Sequence, residues 1–140
     1  MSEHFSVDEF RCHDGAEYPA EWVDDRLAVL CRVLEAIRTA WGGPLTVVSG
    51  YRTAAYNARI GGAKLSQHVQ GRAADVRPTN PTPERVAQLH RLVKQMQAQG
   101  RLDALGGLGE YVGWIHVDIR SQNPVGHLAT WTGNGVGSEA

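Results

Sequence analysis

The sequence predicts an α+β fold, in which helices pack on one side of a small, mainly antiparallel sheet and candidate ligands lie on its open face. Two long segments with helical periodicity, residues 20–41 and 83–99, lie among short apolar or β-branched runs. The last two runs are joined only by Val112-Gly113, which predicts a hairpin. A chain of 140 residues is long enough for one domain with a sizeable core.

Three helices are predicted. The first, over residues 20–41, has an apolar stripe with a period of about 3.6 residues, and Gly42-Gly43-Pro44 ends it. A short helix over residues 53–60 is stopped by Gly61-Gly62. The second long helix begins after Thr82-Pro83, an N-cap followed by proline at the first helical position, and extends to about Gln99.

Four runs are predicted to form the sheet. Leu45 to Ser49 is apolar and β-branched, as is typical of a buried strand, and residues 72–77 form the next strand after a loop. Residues 106–111 and 114–120 form the expected hairpin. In the last run the side chains alternate with a period of two, so His116 and Asp118 are expected on the same face.

Residues 1–120 are expected to form a single domain, and residues 121–140 a tail with a frayed, glycine-rich end that Trp131 could still anchor. The 14 basic and 15 acidic residues form no run of like charge, so neither nucleic acid nor anionic lipid is an expected partner. No segment approaches the roughly 20 apolar residues needed to cross a bilayer, so no membrane insertion is expected.

The amino-terminal segment lacks the basic and apolar regions of a Sec signal, so we expect synthesis in the cytoplasm. The absent signal also favours reduced, structural thiols at Cys12 and Cys31 over a disulfide. We expect the protein to be a monomer.

His68, Asp75 and His116 are the candidate metal ligands, because each lies in a glycine-rich or apolar setting. Gly71 lets the backbone turn sharply between the first two and bring them toward one point. Asp75 enters a buried strand, where a charge is costly unless it is paired or bound to metal. Two imidazoles and one carboxylate are the ligand set of a catalytic Zn²⁺, because they leave a fourth position open. A lone strand histidine is more often structural, so the prediction depends on the three residues together.

Further motifs accompany these ligands: Ser49-Gly50-Tyr51-Arg52, Asn57, Gly61-Gly62, Ser66-Gln67-His68, Gly71, Ala74-Asp75, Gly107-Leu108-Gly109 and His116-Val117-Asp118. With them the chain resembles the M15 family of zinc D-Ala-D-Ala peptidases over roughly residues 4–120. It is most similar to the small branch found in phage endolysins and bacterial murein endopeptidases. That branch has an amino-terminal Phe-Ser-x-x-Glu-Phe and Cys-x-Asp-Gly pattern, matched here by residues 5–10 and 12–15.

The resemblance implies a hedgehog/D,D-peptidase-like fold and a Zn²⁺ ion held by His68, Asp75 and His116. It also implies hydrolysis of peptidoglycan stem peptides or crosslinks, as a D,D-carboxypeptidase or an endopeptidase. Action at the cell wall or periplasm would then require lysis or a secretion route.

The resemblance also implies substrate-binding residues. Arg52 would bind a substrate carboxylate or steady the tetrahedral oxyanion, the alternative being a surface ion pair. Ser66 would bind the substrate backbone or brace His68, the alternative being a simple turn-stabilising serine. Gln67 is a further candidate for substrate binding.

The general base has two candidates, because Gly113 stands where better-known M15 dipeptidases carry an acidic residue. Asp118 would shuttle protons or orient a ligand histidine, or merely pair with Arg120. Glu110 lies six residues before His116, a spacing similar to that of the zinc-site glutamate in the hedgehog signalling domain, but it could also be a solvated hairpin charge. Asp118 is the preferred candidate.

Two other functions stay open at this point. Hedgehog domains retain metal while serving recognition, and Gly113 permits a zinc-stabilised binding module of that kind here. A metallopeptidase directed at proteins is the third possibility.

Overall fold

A computed structural model describes residues 1–133, and the last seven residues of the predicted tail lie outside the described range. The α-helices are α1 (Ala28–Trp41), α2 (Ala54–Arg59) and α3 (Pro83–Ala98). Short 3₁₀ and π-helical turns precede α1, at Val7–Phe10, Ala20–Trp22 and Val23–Leu27. The strands are β1 (Leu45–Ser49), β2 (Ala73–Pro78), β3 (Gly107–Glu110), β4 (Ile115–Asp118) and β5 (Ala129–Thr132).

The five strands form one sheet in the order β1-β2-β4-β3-β5, with antiparallel pairing except between β3 and β5. The predicted α+β class with a mainly antiparallel sheet is therefore confirmed. In the register, His116 lies opposite Asp75 on one side and opposite Gly109 on the other. Because cross-strand partners share a face, these three positions lie on the same face of the sheet.

The hydrophobic core covers the other face of the sheet. The sheet contributes Ala74, Val76, Leu108, Ile115 and Val117, and the long helices contribute Leu30, Leu34, Ile37, Val86, Leu89 and Val93. Complete burial of a valine, leucine or isoleucine side chain stabilises the fold by about 1.5–3 kcal/mol. The core therefore fixes α1 and α3 on one side and leaves the polar face of the sheet for the site.

The carboxyl end of α1 and the amino end of α3 follow the sequence signals, whereas the first helix, predicted over residues 20–41, is α-helical only from Ala28 and begins with 3₁₀ and π-helical turns. Gly42 follows α1 with a φ of +84°, in the left-handed region that glycine tolerates, and its N–H bonds to the carbonyl of Arg38. Thr82 caps α3 by accepting the backbone N–H of Arg85 at 3.1 Å. Both predicted boundaries are thus within a residue or two of the structure.

Strand β5 was not predicted, because Ala-Thr-Trp-Thr is short and has only one large apolar side chain. Its Trp131 Nε1 donates to the hydroxyl of Tyr111 at 3.0 Å. Opposite Trp131 in the ladder is Gly109, where a Cβ atom would lie 2.5 Å from the indole nitrogen. The missing side chain of Gly109 therefore makes room for the indole over the open face.

No helix in the described part of the chain is both long enough and apolar enough to cross a membrane. Cys12 and Cys31 are buried free thiols.

Candidate metal centre

The three predicted ligands meet on the open face of the sheet. One ligand atom each from His68, Asp75 and His116 lies within 4.8 Å of the other two. Asp75 Oδ1 is 3.3 Å from His68 Nε2 and 3.1 Å from His116 Nδ1, and all three side chains are at most 3% exposed. The fold thus brings His68 from a loop and His116 from β4 to the same oxygen of Asp75 on the neighbouring strand β2.

The loop before β2 places His68. Gly71 turns the chain with a φ of +68°, and a Cβ atom there would lie 2.7 Å from the Trp22 ring. The carbonyl of His68 accepts the backbone N–H groups of Gly71 at 3.2 Å and of Arg52 at 3.1 Å. These bonds tie the ligand loop both to its own turn and to the segment that follows β1.

The hydrogen bonds of His68 define its tautomer. Its Nδ1 lies 2.7 Å from the carbonyl oxygen of Gly50, which can only accept, so Nδ1 carries the proton. Nε2 therefore presents a lone pair, and it has no hydrogen-bond partner among the described residues. It faces Asp75 Oδ1 at 3.3 Å, and two acceptor atoms at this distance repel each other unless a proton or a metal ion lies between them. The donor set therefore fits a metal ion.

In its neutral, metal-binding form, His116 would have the opposite tautomer. Its Nε2 lies 2.8 Å from Asp118 Oδ2, so a proton on Nε2 is donated to that carboxylate. The lone pair on Nδ1 then points toward Asp75 Oδ1. Both imidazoles consequently present an acceptor nitrogen to the same carboxylate oxygen.

The pKa values of the cluster follow from burial and mutual charge. Burial alone would raise the pKa of Asp75, but interaction with His68 and His116 outweighs it and holds the pKa well below its usual range. Burial lowers the pKa of His68, which favours its neutral form. Burial also opposes protonation of His116, but hydrogen bonds with Asp118 and Asp75 outweigh it and raise the pKa. A metal ion would therefore compete with a proton chiefly at His116.

A family model described as Peptidase M15 matches residues 3–118. The chain belongs to the M15 peptidase family. This membership confirms the predicted resemblance and implies a metallopeptidase, which is consistent with the His68, Asp75 and His116 cluster. The sequence matches no curated protein.

In this M15 peptidase, Arg52 is buried beside Asp75, one of the candidate metal ligands, and is only 4% exposed. It donates to Ser49 Oγ at 3.2 Å, to Asn57 Oδ1 at 3.3 Å and to Asp75 Oδ2 at 3.5 Å. The guanidinium thus engages one oxygen of Asp75 and leaves the other to the histidines. Burial lowers the pKa of Arg52, and the charge of Asp75 opposes that change. The alternative of a surface ion pair does not agree with this burial.

Sequence reasoning missed the roles of Ser49 and Asn57 as partners of Arg52. Both residues were present in the family motifs, but their contacts are tertiary. Asn57 is itself fixed by donating its amide to the carbonyl of Ala63 at 2.8 Å. The available signal was the small polar Ser49 at the end of a β-branched strand, next to the Gly50-Tyr51-Arg52 motif.

Asp118 lies on the same face as His116, as predicted, and is 0% exposed. It binds the imidazole nitrogen remote from Asp75, and Arg120 donates to both of its oxygens. Burial alone would raise the pKa of Asp118, but His116 and Arg120 hold it well below its usual range. Asp118 therefore lies behind the ligand, on the side away from the shared oxygen of Asp75.

Glu110 is not brought to the cluster. It lies opposite Ile115 in the β3–β4 ladder, on the helix-covered face of the sheet. Its Oε1 is 3.8 Å from Nδ1 of His90 on α3. A catalytic role for Glu110 stays a prediction that this geometry does not favour.

The two polar residues before His68 differ in their contacts. Ser66 is buried, and its Oγ accepts the backbone N–H of His68 at 3.1 Å, so it braces the ligand loop. Gln67 has a buried Oε1 atom without a hydrogen-bond partner in the described range. Its role in substrate binding stays a prediction.

Proposed function

We propose that this M15 peptidase is a zinc enzyme that hydrolyses peptide bonds of bacterial peptidoglycan, as a D,D-carboxypeptidase or a murein endopeptidase. The observation that carries the proposal is the convergence of His68 Nε2 and His116 Nδ1 on Asp75 Oδ1. Imidazole and carboxylate ligands suit zinc, and three protein ligands leave room for water or substrate. The similarity of the sequence motifs to the endolysin branch supports the peptidoglycan substrate and action at the cell wall.

Each residue of the site has a proposed task. Zinc bound here would polarise a peptide carbonyl and lower the pKa of a water molecule to about 7. The Gly50 carbonyl holds the His68 tautomer, and Asp118 holds that of His116. Arg52 fixes Asp75 and adds positive charge beside the site, where it would stabilise a developing oxyanion.

Asp118 is proposed to orient His116 and not to shuttle protons. Its oxygens are occupied by His116 and Arg120, and the imidazole separates it from the ligand cluster. A general base must come within hydrogen-bond reach of the proton that it takes. Glu110 fails the same requirement because it lies on the opposite face of the sheet.

A zinc-stabilised binding module is the second candidate function. Gly113, at the position of the usual acidic residue, is the observation that favours it. In such a module the metal would stabilise the loop of His68 without promoting hydrolysis.

Digestion of purified peptidoglycan by the zinc-loaded protein tests the proposal. We expect new amino termini or free D-Ala, loss of the activity with a chelator, and loss of it in His68→Ala. His127→Ala, which changes an exposed histidine outside the cluster, is the matched control. Mass analysis of the muropeptides would identify the bond that is cut.

Other outcomes would redirect the proposal. Zinc binding without hydrolysis of murein or casein would favour the binding module. Cleavage of casein but not of murein would favour a peptidase directed at proteins. A His68→Ala variant that keeps both metal and activity would contradict the ligand assignment.

A further inference from the structure

Two side chains beyond the family-matched region, Arg120 and Trp131, lie beside the ligand His116. The match ends at residue 118, whereas Arg120 follows β4 and Trp131 belongs to β5. Neither residue was among the predicted site residues. Their contacts nevertheless connect the carboxy-terminal strand to the metal ligands.

Arg120 holds Asp118 with several hydrogen bonds. Its backbone N–H donates to Oδ1 at 3.1 Å, its Nε to Oδ1 at 2.9 Å, and its Nη2 to Oδ2 at 2.6 Å. A guanidinium that contacts both carboxylate oxygens fixes the plane of the carboxylate as well as its position. Since Oδ2 also accepts the His116 Nε2 proton, the plane of Asp118 sets the direction in which the imidazole is held.

Trp131 supports this arrangement from the open face of the sheet. The Arg120 guanidinium carbon lies 5.0 Å from the indole centroid, within the range of a cation–π contact. The same indole lies with its centroid 5.0 Å from that of the His116 ring. Its Nε1 is anchored on the Tyr111 hydroxyl, and Gly109 leaves the space that the ring occupies. Trp131 therefore packs against both the ligand and the arginine that orients it.

We propose that Arg120 and Trp131 are positioning residues that hold the His116 imidazole in the orientation in which Nδ1 binds the metal. The influence of Arg120 passes through Asp118, and that of Trp131 passes through Arg120 and by direct ring contact. This inference rests on the metal site of the proposed function but does not depend on the substrate. Metal binding, and not peptide hydrolysis, is therefore its test.

The experiment compares Arg120→Met with Arg85→Met. Arg85 is a matched control, because its guanidinium also stacks on a tryptophan, Trp41, at 5.2 Å, and α3 packs on the opposite face of the sheet from the cluster. Zinc affinity would be measured by competition with a chromophoric chelator, and folding of the metal-free proteins by thermal unfolding. We expect a loss of affinity of about 10- to 100-fold in Arg120→Met, as for other groups that orient metal ligands, and less than twofold in Arg85→Met.

A double-mutant comparison separates positioning from a general structural effect. In the Asp118→Asn background, we expect Arg120→Met to lower zinc affinity by less than a further twofold, because the carboxylate through which Arg120 acts is already gone. Unchanged zinc affinity in Arg120→Met would overturn the inference. The same loss in both backgrounds would also overturn it. If Arg120→Met does not fold, Arg120→Lys provides the test, since an ammonium keeps the charge but cannot hold both oxygens in the same plane.

Trp131 is tested by Trp131→Leu against Trp41→Leu, with cobalt in place of zinc as a spectroscopic probe. We expect a changed visible absorption spectrum and weaker metal binding only in Trp131→Leu. Identical spectra and affinities for the two variants would remove Trp131 from the proposal. Failure of the wild-type protein to bind zinc or cobalt would contradict the proposed metal site itself, whereas wild-type binding without hydrolysis would contradict only the proposed activity.

Discussion

The carboxylate of Asp75 divides its two oxygens between different tasks. Oδ1 faces the acceptor nitrogens of His68 and His116, whereas Oδ2 receives the Arg52 guanidinium. The positive charge of Arg52 compensates the negative charge of the buried Asp75 carboxylate. Burying that charge without a partner would cost several kcal/mol. The arginine thus has a structural reason to be present that is separate from any contact with substrate.

Arg52→Lys separates the two predicted roles of this side chain in the reaction. A lysine cannot reproduce the three directed bonds to Ser49, Asn57 and Asp75, so it would approach the substrate differently. If Arg52 stabilises the oxyanion, kcat should fall by about 10²- to 10³-fold with little change in KM. If it binds a substrate carboxylate, KM should rise instead. Steady-state kinetics on a defined stem peptide distinguishes the two, with Arg101→Lys, an exposed position, as control.

The pH dependence of zinc affinity follows from His116. Its pKa in the metal-free protein is raised above the ordinary value by Asp118 and Asp75 despite burial, so a proton must leave Nδ1 before metal binds. Affinity should therefore fall as pH falls through this raised pKa, approaching tenfold per unit below it. The same raised pKa affects the stability of the metal-free protein. The stabilisation from protonated His116 is fully present below the ordinary pKa of histidine, and it is lost as the pH rises through the raised pKa.

Calorimetric titration of zinc in buffers with different ionisation enthalpies would measure the released protons directly. We expect His116 to release close to one proton per zinc below its pKa and less above it, in addition to the proton that zinc-bound water releases above about pH 7. Constant affinity and no proton release between about pH 6 and about pH 8 would contradict the assignment, because an ordinary histidine titrates near 6.5.

Among the elements, strands β3 and β4 have different residues on the open face of the sheet: β4 has functional side chains and β3 has glycines. Strand β4 supplies His116 and Asp118, and the residues opposite them on β3 are Gly109 and Gly107. A Cβ atom at Gly107 would collide with the Asp118 carboxylate. The glycines of β3 therefore provide the volume in which the side chains of neighbouring strands assemble.

Gly109→Ala tests this role of β3. The added methyl would lie 2.5 Å from the Trp131 indole nitrogen, so the indole that anchors β5 must shift, and we expect β5 to be loosened. We expect a loss of about 1–3 kcal/mol in the free energy of unfolding, as for other overpacked sites. Hydrogen exchange should show faster exchange of the backbone amides of residues 129–132. Gly113→Ala is the matched control, since in the described range nothing would lie within 4 Å of the methyl added there; equal effects of the two changes would refute the steric explanation.

For the whole molecule, the features set by local sequence were predictable. The helical spacing of apolar residues indicated the two long helices, with Gly42-Gly43 marking the end of α1 and Thr82 the start of α3. The alternation of apolar and polar side chains around His116 indicated β4 and its polar face. The three candidate ligands, which the fold brings together, were predictable because each combines a metal-binding side chain with a buried or tightly turning setting. Family motifs added Arg52, whose sequence context alone did not indicate its burial.

The remaining features depend on contacts between distant segments. Docking of β5 relies on Gly109 and Tyr111, which come about twenty residues earlier in the chain. The tautomers of the histidines depend on the Gly50 carbonyl and on Asp118, and a sequence does not specify such partners without its fold. Glu110 shows the converse, since a plausible spacing from His116 ended on the wrong face of the sheet.

Metal binding should stabilise the whole domain, because the ligands come from a loop and two strands that must be folded to meet. Zinc at about 1,000 times its Kd would raise the free energy of unfolding by about 4 kcal/mol, provided that it binds the unfolded chain weakly. For a domain of this size the rise in Tm would be roughly 10–20 °C. Thermal unfolding with zinc, and again after a chelator is added, would measure it.

Variants identify the source of that stabilisation. His68→Ala and His116→Ala should lose most of the zinc-dependent rise in Tm, whereas His127→Ala should retain it, because His127 is exposed and lies outside the cluster. Zinc that raised Tm equally in all three variants would be acting at some other site. Such a result would contradict the metal centre even if the variants differed in activity, because the stabilisation depends only on where the ion binds.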